Sequence, residues 1–311
     1  MSKSKRLILP FLLLLLALSA TSGCGNKALS NIDFRQEQTA PAAYNKNGTE
    51  QRPLLIAIAS VISPKETIGC YRTIAQHVAK ATGRPTLLVQ RKTYAEVNML
   101  MANGEVDIAF MSTGAYSSYR GMNEIELLVM AEHHGNSLYT ANVIVHRDSG
   151  IKSLDQLKGK IFAFTDPLSF SGHMVIEDYL SKQGAVPEKY FNRYFYTYNH
   201  DKSIWAVANK LADAASIDSQ IYEYARLRDP SLADKVRIIA SMAPSPTGPV
   251  AINKAIPVEQ KEALRRIFLE MSENQETAEA LQELIIDRFV MPQPELYEPL
   301  KKIYDRTSVI L

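Results

Sequence analysis

The stretch TDPLSFSGH, Thr165–His173, joins a short apolar run to a segment with helical spacing. The apolar run Ile161–Phe164 predicts a buried strand, and the apolar positions in Met174–Leu180 predict a helix. The hydroxyls of Ser169 and Ser171 stand where this helix begins. A strand, a hydroxyl-rich turn and a helix N-terminus predict an anion site, because the first N–H groups are unpaired and the helix dipole favours negative charge. A serine in this position can also be only an N-cap, which stabilises the helix and binds nothing.

A second turn of the same build lies upstream. The apolar run Val106–Met111 predicts a strand, and Ser112, Thr113 and Gly114 lead from it into a helical segment. Open α/β sheets bind ligands beyond the carboxyl ends of their strands, so two such turns favour a binding site over simple capping. Tyr116 can add an aromatic wall or a phenol donor to this site.

The order of elements predicts an α/β fold. Between Leu54 and Met111, apolar strands alternate with helical segments, and this order predicts a parallel sheet with helices on both faces. Further along, His200 and Asp218 each follow a strand-like run. Alone, a residue in such a position is more often a helix cap or a surface residue than part of a ligand site.

The sequence contains no motif typical of a metal, cofactor or nucleotide site. It has no Cys/His cluster with zinc spacing, no P-loop, no G-x-G-x-x-G and no G-x-S-x-G. His133 and His134 are adjacent, so on a strand their side chains face opposite ways, and no metal site is predicted there. The sequence therefore predicts neither a cofactor nor a metal.

The chain begins with a basic segment followed by the apolar run Leu7–Ala20. This run is short for a membrane span and typical of a secretory signal peptide. Thr21-Ser22-Gly23-Cys24 resembles a bacterial lipobox, although Thr21 replaces the usual leucine. We therefore expect a signal peptide over residues 1–23, lipidation of Cys24 and a flexible polar tether over residues 24–52. An uncleaved anchor and an ordinary signal peptide are the alternatives.

Charge excludes one class of partner. Residues 1–23 carry three basic and no acidic residues, so cleavage leaves 32 basic against 33 acidic residues and changes the net charge from +2 to −1. A nearly neutral chain does not bind nucleic acid through bulk electrostatics, so an anion must be held by local geometry. With Cys24 acylated, Cys70 has no partner for an intrachain disulfide.

Five motifs together resemble the phosphate, phosphite and phosphonate substrate-binding proteins of ABC transporters. They cover most of the chain from Leu54 to the mid-200s, and their shared order makes the resemblance specific. The motifs are Val106–Phe110 with Gly114–Tyr116, Ser153–Lys160, Asp166–Gly172, His200–Ile204 and Asp213–Ser219.

This resemblance implies the two-lobed fold of type II periplasmic binding proteins. Each lobe would be a mostly parallel sheet flanked by helices, and two crossover strands would join the lobes. Lobe one would comprise residues 53–138 and 246–311, and lobe two residues 139–245. The ligand would lie in the cleft between them.

The resemblance also implies site roles. In this family the Asp-Pro-x-Ser-x-Ser-Gly turn binds the oxygens on phosphorus, which assigns that role to Ser169, Ser171 and nearby backbone N–H groups. His200 would donate to the same oxygens, and Asp218 would accept from a ligand hydroxyl or amine. Phe170 lies in this turn where the family often has threonine, so one hydroxyl contact is absent.

The opposite side of the site would be closed by Ser112, Thr113 and Tyr116. Relatives that bind aminoalkylphosphonates tend to carry an acid before a proline near the second crossover, where this chain has Thr247-Gly248-Pro249. Without a second carboxylate for an ammonium group, the resemblance implies a small oxyanion or a phosphonate with a neutral tail.

The function implied is capture of a phosphonate, phosphite or phosphate outside the cytoplasm by a monomeric, membrane-anchored lipoprotein. Its partners would be the permease and ATPase of an ABC importer, and it would not be an enzyme. Two alternatives stay open: a ligand sensor for a membrane signalling partner, and a serine hydrolase that uses Ser169 or Ser171 with His200. Neither serine stands in a nucleophile elbow, which disfavours the hydrolase.

Overall fold

Two mixed β-sheets, each with helices packed on it, organise the residues that the computed structural model describes, namely 43–44, 50–242 and 244–306. The predicted signal peptide and Cys24 lie outside these residues. Of the predicted tether, a two-residue ladder pairs Ala43–Tyr44 with Glu50–Gln51. Within the described ranges, no helix combines the length and the apolar character needed to cross a membrane.

The strands and helices are numbered in chain order. The strands are β1 Leu54–Ala59, β2 Thr86–Arg91, β3 Ile108–Phe110, β4 Ile125–Glu132, β5 Leu138–Tyr139, β6 Ala141–His146, β7 Ile161–Phe164, β8 Arg193–Tyr196, β9 Ala214–Asp218, β10 Val236–Ser241, β11 Ser245–Pro246, β12 Pro249–Asn253 and β13 Arg288–Val290. The helices are α1 Pro64–Thr82, α2 Tyr94–Ala102, α3 Thr113–Ser118, α4 Val175–Ser181, α5 Pro187–Tyr190, α6 His200–Ala208, α7 Ser219–Arg228, α8 Pro230–Ala233, α9 Val258–Leu269, α10 Gln275–Glu283 and α11 Glu298–Arg306.

Sheet one has the strand order β13-β4-β12-β3-β1-β2. Strand β1 pairs in parallel with β2 and β3, as the alternation of strands and helices predicted. Strand β12 is antiparallel to β3 and β4, and β13 is antiparallel to β4. The prediction of a mostly parallel sheet is therefore wrong in this detail. The reason is that the chain reaches β12 directly from the other sheet and not through a helix that follows a neighbouring strand of sheet one. The direction of β12 is therefore not fixed by a βαβ unit.

Sheet two has the order β8-β7-β9-β6-β10. Strand β7 is parallel to β8 and β9, whereas β6 is antiparallel to β9 and β10, so this sheet is mixed as well. The chain passes from sheet one to sheet two through β5 and returns through β11. These two short strands pair with each other, Ser245 opposite Tyr139. The two sheets and the two crossover strands confirm the predicted fold class.

Burial explains why the first strand could be recognised. Strand β1 separates two apolar clusters: Ile56 packs in the cluster that contains Phe268, and Ala57 packs in the cluster that contains Tyr94 and Tyr297. A strand covered on both faces reads as a continuous apolar run.

The C-terminal helix α11 contacts both halves of the molecule. It packs beside α3 of the first half. Its residues Leu300 and Tyr304 belong to the same apolar cluster as Phe162 and Phe164 of sheet two. The hydroxyl of Tyr304 donates to the carbonyl oxygen of Leu168 at 2.9 Å. The last helix therefore ties α3 to the turn that follows β7.

Candidate anion-binding site

A small cavity of about 120 Å³ lies between the two sheets. It is bordered by residues at the carboxyl ends of β1, β3, β7 and β9, the edge at which α/β sheets place ligands. Pockets for drug-sized ligands are several times larger, roughly 300–1,000 Å³. The cavity is therefore suited to a very small molecule.

The turn after β7, which contains the TDPLSFSGH stretch, supplies one wall of the cavity. Ser169 caps the helical turn that follows, because its Oγ accepts the Gly172 N–H at 3.0 Å. The hydroxyl hydrogen of Ser169 is therefore free to be donated to a ligand. Ser169, Phe170 and Ser171 all line the cavity and are all buried. Ser216 fixes the turn by donating its hydroxyl to the Ser171 carbonyl at 2.5 Å.

His200 is held in one tautomer by the backbone. The Asp218 N–H donates to His200 Nδ1 at 3.1 Å. Because a backbone N–H can only donate, Nδ1 must accept, and the neutral ring carries its proton on Nε2. Burial lowers the pKa of His200 to about 3, so the ring is neutral. Nε2, 3.5 Å from Ser169 Oγ, is thus a donor for an anion.

Asp218 places a titratable acid in the same wall. It ends β9 and caps α7, where its Oδ1 accepts the Gln220 N–H at 2.7 Å. Burial raises the pKa of Asp218 to about 7. It is the one carboxylate among the cavity-lining residues that the structure describes, and no lysine or arginine is found in that lining. An anion in this cavity is therefore met by neutral donors and by an acid that can be protonated at neutral pH.

The wall from sheet one carries two of the three predicted residues. Ser112 caps α3 by accepting the Ala115 N–H at 3.1 Å, and it lines the cavity. Thr113 also lines it, but its hydroxyl donates to the Pro246 carbonyl at 2.8 Å and is committed to the crossover. Its remaining role toward a ligand is that of an acceptor or a wall.

Tyr116 does not line the cavity, contrary to the prediction. Its ring packs edge-on against Tyr297 with centroids 5.0 Å apart, and Lys301 Nζ lies 5.5 Å from its centroid. The segment that contains Tyr297 and Lys301 draws the ring into the apolar cluster beneath α3. Spacing within α3 contains no information about a partner so distant in the chain.

Sequence reasoning missed two donors. Gln90 and Tyr94 line the cavity, and Gln90 Nε2 and the Tyr94 hydroxyl are buried with no hydrogen-bond partner among the described residues. Burial raises the pKa of Tyr94 well above its usual value, so its hydroxyl stays protonated. Gln90 lies at the end of β2, and Tyr94 begins α2. This is another strand end of the kind at which α/β sheets place ligands, so its position could have drawn attention to both residues.

Contacts across the cavity join its two walls. The Tyr94 N–H donates to Asp166 Oδ2 at 3.2 Å, and Asn199 Nδ2 donates to the Ser60 carbonyl at 2.9 Å. Gly114 packs against the backbone of the turn at Leu168. The structure thus has the two halves closed over the cavity.

The geometry supports binding better than hydrolysis. A general base for serine must accept the hydroxyl proton, but His200 Nε2 already carries a proton because the Asp218 N–H occupies Nδ1. The orienting partner is a backbone N–H and not a carboxylate. Ser169 and His200 together therefore present two donors to an oxyanion.

Comparisons with known proteins agree with this geometry. The phosphonates-binding periplasmic protein of Escherichia coli strain K12 is 24% identical over 244 residues, which cover 76% of this chain and 71% of that protein. A binding protein component of an ABC phosphonate transporter from Pseudomonas aeruginosa has a TM-score of 0.75 at 25% identity, covering 81% of this chain and 86% of its own.

A Prochlorococcus marinus (MIT 9301) protein, solved in complex with methylphosphonate, shares the fold with a TM-score of 0.75. It is 14% identical, and the match covers 83% of this chain and 98% of that one. The family model of periplasmic substrate-binding proteins of phosphonate ABC transporters matches residues 56–297. The chain belongs to this family of ABC-transporter substrate-binding proteins.

Proposed function

We propose that this protein captures a small phosphorus oxyanion, a phosphonate, phosphite or phosphate, outside the cytoplasm and delivers it to an ABC importer. The observation that carries the choice of ligand is the set of unpaired donors. Gln90 Nε2 and the Tyr94 hydroxyl are buried without partners at the cavity, and an unpaired buried donor costs roughly 1–3 kcal/mol. A ligand rich in acceptor oxygens would satisfy them.

The polar groups on the opposite wall fit the same ligand. Ser169, Ser171 and His200 can direct hydrogens at phosphorus-bound oxygens, while Asp218 can share a proton with one of them. Phe170 lies beside these groups and offers an apolar surface to a small apolar substituent. Because the described lining offers a single carboxylate, an ammonium tail would lack a charge partner, which favours methylphosphonate over an amino phosphonate.

Calorimetry at pH 8 tests the ligand class. Methylphosphonate, phosphite or phosphate should bind, because each can bring a P–OH proton for the Asp218 carboxylate to accept. Sulfate carries no such proton at this pH and should be silent, as should sugars and amino acids. Tight binding of a sugar or an amino acid would contradict the proposal.

Replacing Ser171 with alanine should weaken methylphosphonate binding about ten- to a hundredfold. Loss of a hydrogen bond to a charged oxygen costs about 1.5–3 kcal/mol, which corresponds to that range. Ser181→Ala is the matched control, since this serine ends α4, is exposed and only bonds the Asp178 carbonyl. Equal affinities for the two variants would remove Ser171 from the site.

We also propose that the two halves act as lobes, residues 53–138 with 246–311 and residues 139–245, which open to admit the ligand and close over it. The crossover pair of β5 and β11 is the natural hinge, because these short strands make the two connections between the sheets. In this proposal the protein works as a monomer that presents its closed form to the permease.

Anchoring through a lipid on Cys24 is part of the proposal. Replacing Cys24 with alanine should release the protein into the soluble fraction or leave an uncleaved precursor, because the acylated thiol would be absent. Cys70→Ala is the control and should stay in the detergent-requiring membrane fraction, since the Cys70 thiol lies in the folded domain. A membrane fraction unchanged by Cys24→Ala would disprove lipidation at this residue.

A further inference from the structure

The turn between β4 and β5 brings two histidines together. The backbones of His133 and Asn136 exchange hydrogen bonds of 2.9 and 3.0 Å, which closes a two-residue hairpin. His134 and Gly135 occupy it with φ of 49° and 68°, the positive values of a type I′ turn. The imidazole rings of His133 and His134 therefore lie on the same side, with centroids 4.0 Å apart. The prediction that they face opposite ways is wrong because β4 ends at Glu132.

A glutamate from the other half of the molecule meets both rings. His133 Nε2 is 3.0 Å from one carboxylate oxygen of Glu223, and His134 Nε2 is 2.7 Å from the other. Glu223 belongs to α7, on the side of sheet two. The three ligand atoms lie within 4.8 Å of one another.

Two imidazoles and a carboxylate form the ligand set of zinc sites that keep one position open. A tetrahedral ion with ligands about 2.0–2.2 Å away holds those ligand atoms roughly 3.3 Å apart. The two imidazole–carboxylate separations are 2.7 and 3.0 Å and no pair of ligand atoms is more than 4.8 Å apart, so side-chain movements of about 1.5 Å or less bring the ligands to this spacing.

Two further observations favour a cation here. The side chain of His133 is only 10% exposed, so the Nε2 that meets Glu223 is largely withdrawn from water. Asp287 adds negative charge beside the cluster, since its Oδ2 accepts the Gly135 N–H at 3.2 Å and its charge acts on His134.

We propose that His133, His134 and Glu223 bind a divalent transition-metal ion such as Zn²⁺ across the two halves of the molecule. Imidazole ligands select ions of this class over Mg²⁺ and Ca²⁺. Because the ligands come from the hairpin on one side and α7 on the other, the bound ion favours the closed arrangement. Metal binding would then tighten anion binding by linkage, a consequence that rests on the proposed function.

Metal titration without an anion tests the site itself. Full-length protein lacking a histidine tag is stripped with a chelator and titrated with Zn²⁺ by calorimetry and with Co²⁺ by visible absorption. One ion per chain is expected, with at least tenfold weaker binding in Glu223→Gln and in His134→Ala. His77→Ala replaces a partly buried helical histidine outside the cluster and should bind like wild type. Thermal melting confirms that each variant is folded.

The metal site would be disproved if wild-type protein took up no stoichiometric Zn²⁺. It would also be disproved if Glu223→Gln bound Zn²⁺ as tightly as wild type, or if His77→Ala lost as much Zn²⁺ affinity as Glu223→Gln.

Methylphosphonate affinity measured with and without Zn²⁺ tests the bridging role. We expect the ion to tighten wild-type binding at least about fivefold, within the usual range of coupling between two sites, and to leave Glu223→Gln unchanged. An ion that binds without altering this affinity overturns the bridging role. A failure of methylphosphonate, phosphite and phosphate all to bind overturns the proposed function and leaves the metal titration as an independent result.

Discussion

Replacing Gly114 with alanine is expected to weaken methylphosphonate binding by about a hundredfold or more, equivalent to ~2.7 kcal/mol. A Cβ at this position would overlap the Leu168 carbonyl oxygen and the Tyr304 hydroxyl and would lie 2.6 Å from the Phe170 nitrogen. Two of these neighbours are backbone atoms of the turn that we propose binds the ligand, so they cannot move aside without losing its geometry.

The substitution acts on closure and not on folding of either half. Gly114 lies in the first turn of α3, where alanine is a better helix former than glycine, and its crowded neighbours belong to the turn after β7 and to α11. With the closed form blocked, the apparent affinity falls in proportion to the fraction of molecules that can still close. Small-angle scattering should show a radius of gyration that shrinks with ligand in wild type and stays constant in the variant.

Gly150→Ala supplies the control, because a Cβ at Gly150 meets no atom within 4 Å. It should bind methylphosphonate and close like wild type. A Gly114→Ala protein that binds as tightly as wild type would show that the contact between α3 and the turn at Leu168 is not required for capture.

From the sequence one could locate those parts of the candidate site that depend on local order. The turn at Ser169 and Ser171 could be located because a buried strand, a hydroxyl cap and a helical segment follow one another directly in the chain. His200 and Asp218 could be placed at strand ends for the same reason, although only the structure shows that the backbone N–H of one fixes the tautomer of the other.

The failures share a physical cause, which is contact between segments far apart in the chain. Tyr116 was assigned to the cavity, but its ring is held by Tyr297 and faces Lys301, both close to the C-terminus. The direction of β12 depends on the path by which the chain returns from sheet two, and the apolar periodicity of the sequence does not reveal that direction. Tyr94 was missed because its hydroxyl becomes part of the cavity only when the two walls meet.

The largest pH effect is expected at Asp218. Its pKa rises from 3.8 to about 7 through burial, so between these values the folded protein keeps a proton that an ordinary aspartate would lose. As pH rises through 7 the carboxylate ionises, and an ionised carboxylate repels a fully ionised oxyanion. Above pH 7, wild-type affinity for such an anion should fall by about tenfold per pH unit, because binding then requires uptake of one proton.

Asp218→Asn should remove this dependence. Asparagine is nearly isosteric and also caps helices well, so the bond to the Gln220 N–H that starts α7 can be kept. The ratio of wild-type to variant Kd for methylphosphonate should rise from near one at pH 6 to about a hundredfold in favour of the variant at pH 9. The ligand's own ionisation is common to both proteins and cancels in this ratio.

Sulfate sharpens the comparison, because it stays fully ionised over the whole range and cannot donate a proton. Wild-type protein should bind sulfate measurably only at low pH, when Asp218 is protonated and can donate, whereas Asp218→Asn should bind it with little change from pH 6 to pH 9. Asp229→Asn is the matched control, since this exposed aspartate also caps a helix, α8, where its Oδ1 accepts the Leu232 N–H at 3.0 Å, and it does not line the cavity. A Kd ratio for methylphosphonate that stays constant with pH would mean that Asp218 does not share a proton with the ligand, and discrimination between oxyanions would then have to come from the neutral donors of the cavity.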